Sequence, residues 1–204
     1  MLNLAVFVSG RGSNFQSILE AISSKVLEAQ VKSVFTDKES CGAMEIAEKY
    51  SIPVYSISNT DKPGFISYKE VSELLLKQQV DLIVLAGFLK KLPDTVVDEY
   101  ENRIINIHPA LLPCFGGKGM YGMNVHRAVF NSSAKVSGAT VHFVDKIYDN
   151  GKIIAQEAVD ISDVGSPEEI AERVLKIEHK LLPFVIKKIS EKKVVISENR
   201  VIVH

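Results

Sequence analysis

Leu2-Asn3-Leu4-Ala5-Val6-Phe7-Val8 runs directly into Ser9-Gly10-Arg11-Gly12-Ser13-Asn14, and that junction decides the fold. A run that is apolar almost throughout, rather than at every second position, describes a strand covered on both faces, the usual state in a parallel sheet. Gly10 and Gly12 then allow a tight turn, and an amphipathic segment from Phe15 to about Glu28 reads as a helix. Strand, glycine turn and helix together open a βαβ unit. The same alternation continues outward. Val31–Phe35, Val54–Ser56 and Leu82–Ala86 read as buried strands, Gly42–Tyr50 and Tyr68–Gln78 as the helices between them, and Arg103–Ile107 as the next strand. The fold class expected is α/β: one domain over residues 1–204, with a mostly parallel doubly wound sheet of about seven strands and helices on both faces. Its N-terminal half, about 1–100, carries the glycine turn; the C-terminal half, about 101–204, contains an antiparallel part.

That antiparallel part follows from a change of pattern after residue 107. Ala110–Gly122 holds Pro113 and four glycines and reads as a mobile loop, with a helix around Asn124–Asn131 behind it. Ser137–Val144 and Lys152–Ile161 are strand candidates joined by a short connection ending in Asp149-Asn150-Gly151, which favours antiparallel pairing. Ser166-Pro167-Glu168-Glu169 has the form of an N-cap, a proline at the first helical position and acids in the first turn, opening a long helix to about Ile189. Val194–Ile196 and Val201–Val203 would close the chain as a small hairpin around Glu198-Asn199.

With 24 basic against 25 acidic residues, the formal charge of −1 supplies no bulk attraction to nucleic acid or membrane. Any anionic ligand must therefore meet a local site. Two cysteines, Cys41 and Cys114, are too few for a disulfide framework and lack metal-ligand spacing, so a reduced cytoplasmic setting is expected. Leu2–Val8 is shorter than the ~18 residues of a spanning helix and has no basic flank, so no targeting or membrane segment is expected.

Asn106-Ile107-His108-Pro109 is where chemistry is expected. Period-two alternation puts Asn106 and His108 on one face, where two polar side chains are costly to bury unless something pairs with them, and proline then ends the strand. The carboxyl end of a buried strand is where open α/β sheets place ligands. Asp149 is the acid available downstream, although Asp-Asn-Gly also makes an ordinary turn. His142 reads as a structural hydrogen-bonding histidine, with contact to the site as the alternative. Glu178-His179 by default is a solvated pair on the long helix, and the lysines at 187, 188, 192 and 193 a solvated face.

At the first junction Gly10 and Gly12 allow close approach of a ligand, and Ser13 and Asn14 offer hydrogen bonds at a helix start. Neither the lysine of the Walker pattern nor the third glycine of the dinucleotide fingerprint follows, so a monophosphate fits best. The plain alternative is a glycine turn with Ser13 or Asn14 capping the helix.

These residues carry a family resemblance over nearly all of the chain. Ser9-Gly10-Arg11-Gly12-Ser13-Asn14, Leu85-Ala86-Gly87-Phe88, Asn106 through Pro113, Ser137-Gly138-Ala139-Thr140-Val141-His142, Asp149-Asn150-Gly151 and Glu178-His179 with Pro183 resemble the glycinamide ribonucleotide transformylases, a branch of the folate-dependent formyltransferases. The Asn-Ile-His-Pro and Leu-Leu-Pro stretch is shared among formyl-folate enzymes, whereas Gly12-Ser13-Asn14 points to a ribonucleotide. The resemblance implies transfer of a formyl group from 10-formyltetrahydrofolate, as cosubstrate, to the amine of 5'-phosphoribosylglycinamide in purine biosynthesis.

It also implies roles. His108 would be general acid, Asn106 the oxyanion donor, and Asp149 would raise the pKa of His108. Gly12, Ser13 and Asn14 would hold the phosphate, Glu178 the ribose hydroxyls, and Gly87 and Pro109 would line the nucleotide. Phe88, Leu89, Lys90, Lys91 and Leu92, with Asn106 and the loop Asp145, Lys146, Ile147, Tyr148 and Asp149, would hold the folate. No metal is required, the partners are small molecules, and the chain is a monomer or homodimer. Two departures stand out: Cys114–Met123 is glycine-rich and longer than in some members, and Gly64 stands where some have an arginine for the folate tail, with Lys62 and Lys69 nearby. The competing readings are a formyltetrahydrofolate hydrolase, a transformylase acting on initiator tRNA, which would call for a basic surface and a further domain, and a catalytically inactive ribonucleotide-binding module.

Overall fold

The computed structural model describes residues 1–198 and 200–204; Asn199, placed by the sequence in a terminal turn, lies outside the described residues. Seven strands form one sheet in the order β3-β2-β1-β4-β5-β6-β7, and two more form a separate pair. In chain order the strands are β1 (Leu2–Phe7), β2 (Ala29–Thr36), β3 (Val54–Ser56), β4 (Leu82–Leu85), β5 (Ile104–His108), β6 (Val136–Phe143), β7 (Ile153–Asp160), β8 (Val194–Ile196) and β9 (Val201–Val203). The helices are α1 (Ser13–Ser23), α2 (Gly42–Lys49), α3 (Tyr68–Lys77), α4 (Asp94–Glu99), α5 (Met123–Asn131) and α6 (Pro167–Ser190). This is the expected mostly parallel α/β sheet with an antiparallel C-terminal part. The chain divides into two compact units, Met1–Ile105 and Asn106–His204.

In the first unit β1 pairs in parallel with β2 and β4, and β2 with β3. Leu4, Ala5, Val6 and Phe7 are fully buried, as a strand covered on both faces requires, and Phe7 stacks on Phe35 with ring centroids 4.7 Å apart. Ser67 caps α3 by a reciprocal capping box with Glu70. Two readings need correction here. Helix α1 stops at Ser23 rather than near Glu28, because Ser24 Oγ donates to the Glu20 carbonyl at 2.8 Å and Lys25 turns into the left-handed region at φ 59°. Helix α4 was absent from the sequence reading; at six residues behind Pro93 it is too short to show a helical period.

In the second unit β6 and β7 are antiparallel, from Val136 opposite Asp160 to His142 opposite Ile153, as the short connection suggested. Helix α6 packs against β6 and α5 and buries Ile170, Val174, Leu182, Val185 and Ile186. Ser166 accepts from the Glu169 amide at its start, and Pro167 occupies the first turn. Strands β8 and β9 pair antiparallel.

The expectation of a mobile loop over 110–122 is corrected for its first part, which is irregular but tied down. Thr140 Oγ1 on β6 donates to the Ala110 carbonyl at 2.6 Å and accepts from the Leu112 amide at 3.0 Å, while Gln156 on β7 donates to the Leu112 carbonyl at 2.9 Å. Ala110 and Leu112 are buried. Polar groups are thus satisfied where glycine and proline content alone suggested freedom.

Candidate active site

Strand β5 delivers Asn106 and His108 at its carboxyl end, and β6 and the turn behind it deliver His142 and Asp149. His108 is 3% exposed, and its Nδ1 lies 3.6 Å from Asp149 Oδ2, an electrostatic contact longer than a hydrogen bond. Its Nε2 is 2.8 Å from the Phe115 carbonyl oxygen, which can only accept, so the ring carries a proton there. Asp149 sits at φ 53°, at the turn that the Asp-Asn-Gly sequence foretold, and its Oδ2 also accepts from the Gly117 amide at 2.8 Å. The 115–117 segment therefore lies across both His108 and Asp149. Gly116 is needed there: a Cβ would come within 3.1 Å of Asp149 Cβ and press into the Leu112 side chain.

Burial pushes the His108 pKa below its ordinary value, against the upward pull of the Asp149 carboxylate and the Phe115 carbonyl. Asp149 thus acts in the expected direction, but desolvation outweighs it, and the net shift corrects the expectation of a raised ring. For Asp149, burial alone would raise the pKa; its contacts within the cluster, the Gly117 amide among them, outweigh that and hold the carboxyl below its usual range. The resting cluster is a buried carboxylate beside a mainly neutral imidazole.

Two further residues join the cluster: His142, for which contact with the site is the alternative reading of the sequence, and His126, which the sequence does not single out. His142, buried, places Nε2 3.1 Å from Asn106 Nδ2 and 3.7 Å from Asp149 Oδ1. The signal was present, since His142 faces the same way as Thr140 on a strand of alternating pattern, but only the β5 and β6 geometry brings it to Asn106. His126 on α5 is buried with Nδ1 unpartnered, and burial, with His108 adding to it, pushes its pKa down to about 4.

In the first unit, Gly12 takes φ 81° at the start of α1 and accepts from the Gln16 amide at 2.8 Å. A Cβ there would come 2.8 Å from Ala43 Cα, so only glycine suits both the angle and the approach of α2. The N-cap of α1 is Gly12, with no side-chain cap, and Asn14 in the first turn is buried. Ser9 anchors the turn after β4: its amide donates to the Gly87 carbonyl at 3.0 Å, and its Oγ accepts from the Leu89 amide at 2.9 Å. Gly87 is itself left-handed at φ 79°. Phe88 and Leu92 are buried, Phe88 edge-on to Phe7, whereas Leu89, Lys90 and Lys91 are exposed and Lys91 pairs with Asp94 at 2.9 Å.

The remaining candidates fall as follows. Asp145 folds its own turn, accepting from the Ile147 amide and Asn150 Nδ2, and presents Ile147 and Tyr148 to solvent beside exposed Lys146. Pro109 is half-buried. Glu178 is only 7% exposed, so the default of a solvated pair fails for it; Ile177 and Leu181 beside it are buried too, and it belongs to the inward face of α6. Cys41 is partly buried, 3.6 Å from Thr36 Oγ1, and Cys114 is exposed. Among the described residues no three His, Cys, Asp or Glu side chains form a group that could hold a metal ion, and no helix is long and apolar enough to cross a membrane.

A model of the formyl transferase family matches residues 2–186. The chain belongs to that family. Among formyl transferase relatives it is 37% identical over 190 residues to phosphoribosylglycinamide formyltransferase of Bacillus subtilis, covering 93% of this chain and 95% of that protein. It is 46% identical over 193 residues to the chloroplastic phosphoribosylglycinamide formyltransferase of Arabidopsis thaliana, covering 94% of this chain and 66% of the plant protein, so it spans just under two thirds of that relative. The crystal structure of glycinamide ribonucleotide transformylase 1 from Symbiobacterium toebii superposes with a TM-score of 0.89 at 30% identity, covering 100% of this chain and 94% of the other. The formyl transferase fold accordingly extends over the whole described chain.

Proposed function

We propose that this protein transfers the formyl group of 10-formyltetrahydrofolate to the amine of 5'-phosphoribosylglycinamide, a step of purine biosynthesis. The observation that carries the reading is the buried cluster in which His108 Nδ1 lies 3.6 Å from Asp149 Oδ2 with Asn106 beside it on the same strand. Membership of the formyl transferase family and the names of the relatives support it.

In this reading the amine nitrogen bonds to the formyl carbon while the carbonyl electron pair moves onto oxygen. An N–H of Asn106 and one of His108 stabilise that oxygen, and removing one such donor costs on the order of 3 kcal/mol of barrier. The bond from the formyl carbon to N10 then breaks, N10 takes a proton, and the attacking nitrogen has lost one, so no proton is consumed overall. His108 is the carrier. Because its pKa lies below the ordinary value, the resting ring is mainly neutral above pH 6.5, and the proton it hands to N10 is the one the amine gives up. Asp149, ionised, favours the ring while it holds that proton. The bond from His108 to the Phe115 carbonyl is exchanged for substrate during the cycle.

Gly12, Ser13 and Asn14 hold the phosphate at the start of α1, where backbone N–H groups and the helix dipole favour an anion. Glu178 takes the ribose hydroxyls, with Gly87 and Pro109 against the nucleotide. The folate lies against Phe88, Leu89, Lys90, Lys91, Leu92 and the 145–149 turn, with a cytoplasmic setting for the whole. The test is a pair of variants. His108→Ala is expected to lower kcat by about 10²- to 10⁴-fold with nucleotide affinity little changed, and Ser13→Ala with Asn14→Ala to weaken nucleotide binding while leaving kcat nearly intact. The reverse pattern would mean the two roles are wrongly assigned.

A further inference from the structure

We infer that His142 is a positioning residue that fixes which way the Asn106 amide faces, by donating from Nδ1 and accepting at Nε2. His142 Nδ1 lies 2.7 Å from the Phe143 carbonyl oxygen. A carbonyl offers only lone pairs, so a proton must sit on Nδ1; an unprotonated nitrogen there would set lone pair against lone pair at contact distance. With the ring proton placed on Nδ1, Nε2 is left to accept. Its hydrogen-bond partner is Asn106 Nδ2 at 3.1 Å, whereas Asp149 Oδ1 at 3.7 Å is beyond hydrogen-bond reach.

The consequence falls on Asn106. An asparagine amide can rotate half a turn and present oxygen where nitrogen was, and the two orientations are opposite in what they offer a developing oxyanion. Against an accepting Nε2, only the orientation with nitrogen toward His142 makes a bond. One N–H of Asn106 is committed to the ring, and the second, fixed in the same amide plane, is left to donate. His142 itself is 2% exposed at the side chain and sits on β6 opposite Ile153, so its ring has little freedom to follow a misplaced amide. The titratable groups that face the ring are Asp149 and, across the carboxylate, His108. Backbone carbonyl, His142, Asn106 and oxyanion thus form a relay of orientation in which no proton moves.

The direct test is the tautomer. In protein labelled with 15N histidine, the His142 signals are assigned by their loss in His142→Gln, and long-range proton–nitrogen spectra are recorded at pH 8. A protonated Nδ1 with an unprotonated Nε2 is expected; a proton on Nε2, alone or with Nδ1, overturns the inference whether or not the protein transfers formyl groups. The kinetic arm rests on the role proposed for Asn106. His142→Phe keeps an aromatic ring but no acceptor and is expected to lower kcat at least about tenfold, within the range for a misplaced donor, with KM for both substrates changed less than about threefold. His142→Gln, whose Oε1 can accept the same N–H, is expected to recover part of that loss. Full activity in His142→Phe, or equal loss in kcat and KM with no recovery in the glutamine variant, would assign His142 to packing alone. If the wild-type protein transfers no formyl group while the tautomer is as stated, the functional reading fails and this one stands.

Discussion

At His108 two opposing effects act on one ring: burial in β5 disfavours its charge, and the carboxylate 3.6 Å away favours it. Burial wins, which makes the protonated ring a stronger acid but a rarer one. Asp149→Asn separates the two. The amide oxygen can still accept from the Gly117 amide, so the loop contact survives while the negative charge is lost. The His108 pKa, followed by NMR titration of the ring, is expected to fall further, and kcat to fall with it. An unchanged or higher pKa would show that the carboxylate does not act on the ring. The residues of this cluster were partly legible beforehand. Asn106, His108 and Asp149 were named from strand alternation, an Asp-Asn-Gly turn and family likeness. His142 reads from sequence as structural with site contact only as the alternative, and Glu178 by default as solvated, because the depth of a residue within a sheet or under a helix depends on partners far away in sequence.

At the scale of elements, the strong local signals were read correctly and the weak ones were not. Capping chemistry at Ser166-Pro167 and the apolar runs of β1 and β4 placed elements to within a residue or two, whereas α4 was too short for a period and α1 ended early through a serine that turns its hydroxyl back onto the helix. The same logic yields a stability prediction at α3. Ser67→Ala removes the side-chain arm of its capping box, leaving the backbone amide at 67 to donate to Glu70, and is expected to cost about 1 kcal/mol, read as a lower urea midpoint at unchanged slope. A midpoint equal to wild type would mean that solvent replaces the cap. The 110–117 segment shows why composition misleads for loops: Thr140 and Gln156 satisfy its carbonyls and amides, and glycine at 116 serves close packing against Asp149 rather than freedom.

For the molecule as a whole, buried histidines couple stability to pH. His126 binds its proton less tightly folded, near pH 4, than unfolded, so acid favours the unfolded chain. The loss begins as pH falls through about 6.5 and is complete near 4, reaching about 3 kcal/mol. His108 contributes in the same direction. His126→Phe is expected to flatten the fall of the urea midpoint between pH 6.5 and 4, leaving the smaller slope due to His108. An undiminished slope would place the titration elsewhere. The near-neutral charge of the chain, by contrast, left the choice of partner to local geometry.

The most direct measurement is formyl transfer itself: purified protein with 10-formyltetrahydrofolate, followed by folate absorbance with and without 5'-phosphoribosylglycinamide. The account predicts that folate is deformylated only when the nucleotide is present and that N-formyl product accumulates in equal amount. Deformylation in water alone would identify a hydrolase, and binding of both molecules without turnover would contradict the catalytic role given to His108, Asn106 and Asp149.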